Sequence, residues 1–172
     1  MRSFGELESM WSASPPPPRD GGELRLIVLR KSAGVHETPR QAALSCERGL
    51  IGDRWEKSDS PEVGRQVTLI NALAAALIAA DQPLDLPGDN LVVDLDLSTE
   101  ALPTGTRVRI GTAVLEVTEL PHTGCQKFSA RFGQDALRWV NWKEHRNRRL
   151  RGINCRVVTD GAVSVGDTCR VL

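Results

Sequence analysis

At 172 residues the chain is long enough for one domain with a proper core and too short for two of ordinary size. Hydrophobic residues make up 40% and charged residues 26%, ordinary globular proportions that exclude a wholly disordered chain. The 22 basic and 22 acidic side chains cancel, and a chain without excess positive charge is not built to grip a phosphate backbone, so nucleic acid is not the expected partner.

Residues 1–22 read as a disordered tail, because the four consecutive prolines of "SASPPPPRDGG" favour an extended segment and lack the donors a sheet needs. One domain is expected over residues 23–172. The N-terminus lacks the apolar stretch of a signal peptide, and the longest apolar run, Ala72 to Ala80, is far too short to span a bilayer. Both point to a cytoplasmic protein that makes no use of a membrane.

The first strand is expected in "ELRLIVLR", where Leu24, Leu26 and Val28 alternate with more exposed positions. In "RQAALSCERGLIGDRW", Gly49 and Gly52 mark a tight loop presenting Asp53 and Arg54, a pair that either bond each other or offer Arg54 to an anion. "RQVTLI" reads as a short strand and the alanine-rich run from Asn71 to Ala80 as a helix, stopped by Pro83 and "LPGDN". "NLVVDLDL" is a strand, and "GTRVRIGTAVLEVTEL" is two strands around Gly111 with Val108 and Ile110 on one face and Arg107 and Arg109 on the other. "GQDALRWVNW" carries helical periodicity, and "INCRVVTDGAVSVGDTCRVL" reads as a hairpin turning at Asp160-Gly161, then one more strand. Many short strands with glycine turns and two or three helices favour a mainly β fold, a closed or nearly closed barrel.

Four cysteines, Cys46, Cys125, Cys155 and Cys169, contain no C-x-x-C pair and are expected as free thiols in a reducing compartment. Cys155 and Cys169 fall inside strand patterns, where cysteine behaves as a small hydrophobe, and Cys46 is ambiguous. Cys125 follows a strand in "TELPHTGCQKF", with His122 and Lys127 near it and Gly124 beside it. It reads as a thiolate favoured by those neighbours, or as a tolerated residue in a turn. His122 reads equally as a structural histidine or a proton carrier, with His36 and His145 nearer the structural role. The run "KEHRNRRLRG" either forms a solvated face or clamps a phosphate through Arg148 or Arg151.

Taken in order, "GLIGDR", "RQVTLI", "GDNLVVDLDL", "LPTGTRVRIGTAVLEVTEL", "GCQKF" and "RLRGINCRVVTDGAVSVGDTCRVL" resemble the MOSC domain, named for the C-terminal domain of molybdenum-cofactor sulfurases. The resemblance runs from about Leu24 to Leu172 and suits a small standalone member of bacterial type. It implies a mainly antiparallel MOSC-type β-barrel, of the pyruvate-kinase-barrel kind, with two or three peripheral helices. It also implies binding of the molybdenum cofactor (molybdopterin), permanently or in transit, and a single cysteine that ligates molybdenum or carries sulfur as a persulfide; here that position is Cys125. Arg54, Asn90, Lys127 and Arg151 would anchor the cofactor's phosphate, and His122 would tune or orient the site. The implied activity is reduction of N-hydroxylated compounds with an electron-transfer protein as partner, or persulfide transfer with a sulfur donor such as a cysteine desulfurase.

Two departures from the family pattern stand out. Gly124 replaces a proline that many members carry before the cysteine, which is expected to leave the thiol more mobile. Gly88 replaces an arginine, so the phosphate must find another basic partner. The competing expectation is a non-catalytic binding or assembly module that docks a protein or nucleic acid through its basic segment, with Cys125 idle.

Overall fold

The computed structural model describes residues 1–80 and 82–172. The chain opens with helix α1 (Phe4–Ala13), started by a capping box in which the Ser3 hydroxyl accepts from the Glu6 N–H and the Glu6 carboxylate accepts from the Ser3 N–H at 2.7 Å. Its Leu7 is only 1% exposed. The expected tail is therefore corrected: residues 4–13 form a docked helix, and the proline run is a spacer that ends where the Pro18 carbonyl accepts from the Asp96 N–H at 2.8 Å.

Strands β1 (Gly22–Ile27), β2 (Leu29–Ser32), β3 (Val35–Glu37), β4 (Gln41–Ser45), β5 (Gly49–Leu50) and β6 (Val67–Asn71) precede helix α2 (Ala72–Ala79). Strands β7 (Leu91–Val93), β8 (Arg107–Ile110) and β9 (Ala113–Val117) lead into helices α3 (Gln126–Phe132) and α4 (Gln134–Asn141). Strands β10 (Ile153–Thr159), β11 (Gly161–Ser164) and β12 (Thr168–Val171) complete the order. The helix expected in "GQDALRWVNW" forms as α4, and a further one, α3, precedes it, the two separated by Gly133 at φ +91°.

Seven strands close a barrel in the order β1-β12-β8-β9-β10-β6-β7, the mainly β barrel expected from the strand pattern. All its pairs are antiparallel except β6 with β7, which α2 makes parallel by carrying the chain back across the barrel. Side-chain alternation sorts two cores. Leu69, Leu91, Val93, Val108, Ile110 and Leu115 point into the barrel, whereas Ile70 and Val92 point out and pack with Leu7, Ile78, Phe132, Trp139 and Leu150 under the helices. Helix α2 is apolar on nearly every side and is correspondingly buried, with Asn71 capping it and accepting from the Ala74 N–H at 3.1 Å.

The expected hairpin at Asp160-Gly161 does not form. Strand β10 pairs with β9 and β6, while β11 leaves the barrel to pair with β4 in a small side sheet. Asp160 instead accepts from the Cys46 N–H at 2.7 Å, and a Cβ at Gly161 would lie 2.4 Å from the Ala113 nitrogen. Among the described residues no helix is long and apolar enough to cross a membrane.

Candidate functional site

The loop from β5 to β6 enters through Gly52, whose φ of +88° only glycine adopts without strain, and delivers Asp53 into the interior. Asp53 does not pair with Arg54. Its carboxylate accepts from the Arg30 Nε at 3.0 Å and Nη2 at 2.8 Å, the Arg30 N–H, the Trp55 N–H and the Asn90 Nδ2. Burial works against ionisation, but the Arg30 guanidinium and these donors hold the carboxyl below its ordinary value. Asn90 is fully buried, and its amide is consumed by Thr68, Val28 and Asp53. This differs from the expected phosphate contact: Asn90 is a bracket beneath Asp53, with no group left to face a ligand.

Arg30 is thereby held rigidly at the edge of a cleft of about 390 Å³, whose lining includes Arg54, Arg65, Thr68, His122 and Asn154. A larger cleft of about 600 Å³ adjoins it, sharing His122 and Asn154 and adding Thr123, Trp142, Arg146 and Arg151. Arg54 is exposed, with no ion-pair partner among the described residues. Arg30 and Arg65 escaped the sequence reading, because a bulge between Leu24 and Leu26 breaks the alternation that would have shown which way Arg30 faces.

Arg151 is turned inward. It donates from Nη1 to Asp89 and from Nη2 to the Pro87 carbonyl at 3.1 Å, and its guanidinium lies 5.3 Å from the centre of the Phe128 ring. Asp89, also missed, sits 3.4 Å from the His122 Nδ1. Burial pushes the Asp89 carboxyl up, against the pull of Arg151. Burial, reinforced by Arg151, Arg30 and Arg65, drives His122 well below its ordinary value, so the imidazole is neutral near pH 7. One oxygen of Asp89, the His122 Nδ1 and the Arg151 Nε are buried without hydrogen-bond partners, all in this cluster. An ensemble of orphaned polar atoms behind a cationic cleft fits a ligand-facing wall better than a packed core.

Cys125 is exposed and caps α3 in extended conformation, φ −127° and ψ −177°. The backbone N–H groups of Phe128 and Lys127 face its sulfur and hold the thiol below its ordinary value, and the charges of Arg151 and Lys127 add to this. The other thiols differ. Cys155 and Cys169 are buried, which pushes each up to about 12, and Cys46 is raised by its contact with Asp160. Among the described residues no three His, Cys, Asp or Glu side chains cluster to hold a metal ion. A metal bound by Cys125 must bring its remaining ligands with it.

Gly124 is not loose, contrary to the expectation from the missing proline. A Cβ there would come within 2.7 Å of the Leu137 Cδ1, and the residue's N–H and carbonyl both bond the Asn141 side chain. The basic run 143–151 is largely spent inside the molecule as well. Arg148 donates to Glu8 at 2.8 Å, Arg149 to the Leu102 carbonyl at 2.6 Å, and Arg151 to Asp89. Of its basic residues only Lys143 and Arg146 remain exposed, which leaves little for a nucleic-acid or protein dock.

A family model described as MOSC domain matches residues 65–170. No curated protein matches the chain. Among solved structures, the YuaD protein from Bacillus subtilis is 20% identical with a TM-score of 0.58, covering 87% of this chain and 94% of its own. YiiM from Escherichia coli is 20% identical with a TM-score of 0.56, over 87% of this chain and 69% of that one. YiiM from Geobacillus stearothermophilus is 14% identical with a TM-score of 0.59, over 88% and 75%. At these identities the likeness speaks for a shared fold.

Proposed function

The chain belongs to the MOSC domain family, and from that premise we propose that it binds the molybdenum cofactor at the barrel mouth, with Cys125 as the one protein thiolate on the metal. Its activity is then reduction of N-hydroxylated compounds, with electrons from a partner protein. The observation that carries this reading is an exposed thiol held toward its anion, three residues along the chain from a histidine that lines a three-arginine cleft.

The residues fit the group on chemical grounds. A pterin dithiolene brings its own sulfur ligands, so a lone soft thiolate suffices where no three-residue metal cluster exists. Its phosphate suits a cleft with the guanidinium groups of Arg30, Arg54 and Arg65. When bound, the cofactor supplies two-electron redox chemistry. Arg30, locked by Asp53, grips the anion without paying the entropy of ordering a free side chain. Arg54 and Arg65 complete the grip from the exposed rim. Lys127 adds positive charge near the thiolate, Arg151 holds Asp89 and the Phe128 face behind it, and His122 presents a neutral imidazole to the cleft.

The exposure of Cys125 also suits a second reading, carriage of a persulfide from a sulfur donor such as a cysteine desulfurase. One experiment separates the readings: molybdenum, pterin and bound-sulfur analysis of protein purified from a cofactor-producing host, wild type beside Cys125→Ser. The expected result is molybdenum and pterin in the wild type and loss of molybdenum in the variant. Equal molybdenum in both refutes the thiolate ligand, and an extra sulfur on Cys125 without molybdenum establishes the carrier.

A further inference from the structure

The segment from Thr118 to Gly124 has neither helix nor strand, and it delivers Cys125 to the start of α3. Its first half is tied down by Asn154, whose Nδ2 donates to the Leu120 carbonyl at 3.1 Å and the Pro121 carbonyl at 3.2 Å. The half next to the thiol is held differently. The Gly124 N–H donates to the Asn141 Oδ1 at 2.9 Å, and the Asn141 Nδ2 donates back to the Gly124 carbonyl at 3.0 Å. One side-chain amide thus mimics a strand neighbour for the residue before Cys125, and the two bonds together fix which way the amide faces.

We propose that Asn141 is the positioning residue of the reactive thiol, a clamp that takes over in this chain the stiffening that a proline before the cysteine would supply. Three observations converge on it. Proline at 124 has no N–H and would delete the first bond. A Cβ at 124 would stand 2.7 Å from the Leu137 Cδ1 and 3.1 Å from the Val140 Cγ2, so α4 packs directly on the glycine it clamps. Residue 125 takes its extended capping conformation, φ −127° and ψ −177°, directly after this doubly bonded glycine. Helix α4, through its last residue, therefore sets the direction and reach of the sulfur.

The inference rests on reading Cys125 as a functional thiolate, and its test uses the cofactor-free full chain. In a Cys46→Ser background Cys125 is the one exposed cysteine. Its alkylation by iodoacetamide and by a bulkier maleimide at one pH, followed by intact mass, reports reach and access. Asn141 is exposed, so Asn141→Ala leaves the core intact. The variant is expected to change the ratio of the two rates about three- to tenfold, the factor carried by one or two hydrogen bonds. Ala136→Gly weakens α4 away from the clamp and is expected to leave the ratio in place. A parent ratio that Asn141→Ala does not alter, or that Ala136→Gly alters equally, overturns the clamp alone. A parent Cys125 that neither reagent reaches overturns the reading of Cys125 and the clamp with it.

Discussion

Replacing Asp53 by asparagine tests the buried support of the arginine-lined cleft. The Asp53 side chain is fully buried and its partner Arg30 is 14% exposed, joined by two parallel N–H···O bonds. Removing the charge leaves a nearly buried guanidinium unpaired and turns an amide N–H toward donors. Loss of one partner from a buried pair costs about 3–5 kcal/mol, a large share of the stability of a domain this size. Because the folded protein holds the Asp53 carboxyl below its ordinary value, the stabilisation is complete above the unfolded-state value of about 4 and is lost as pH falls through the folded-state value. Urea unfolding of wild type and Asp53→Asn is therefore expected to differ by that amount at neutral pH, with the gap closing in acid below about pH 4. A loss under about 1 kcal/mol at neutral pH, or a gap that acid does not narrow, refutes the view that this pair organises the cleft.

The four thiols are expected to separate by rate in the native protein: Cys125 alkylates first at neutral pH, Cys46 follows, and Cys155 and Cys169 react only on unfolding. Peptide mapping after timed alkylation reads this order directly, and a fast Cys155 would contradict the barrel packing. Leu7→Ala is expected to cost about 2–5 kcal/mol in urea unfolding, the usual loss for a leucine deleted from a core; an unchanged midpoint would mean that α1 is a dispensable tail after all.

Patterns with a period of two were legible because each strand carries its own evidence. Val108 and Ile110 point inward with Arg107 and Arg109 outward, and Cys155 and Cys169 are core residues, as alternation implied. The helix over the alanine run was equally plain. Helix α1 was missed although "SFGE" is a capping box, because the proline run after it dominated the reading. The false hairpin at Asp160-Gly161 has a physical origin too: a turn-forming pair specifies a local bend, whereas the partner of β11 is β4, more than a hundred residues away. The candidate site was legible only in part. Cys125, His122 and Arg54 are where a ligand could meet them, but Asn90 and Arg151 are committed to buried networks. Arg30, Arg65 and Asp89 come together from three separate segments, a proximity that no local spacing encodes.

The pairing of β1 with β12 carries a consequence for biosynthesis. Of the seven barrel strands β12 comes last in chain order, so the strands made before it wait with an open seam until it is synthesised. During that interval β1 and β8 each present unpaired edges able to capture a neighbouring nascent chain. Yield in the cell should then depend on chaperone capacity and temperature during synthesis more steeply than the finished barrel's stability would suggest.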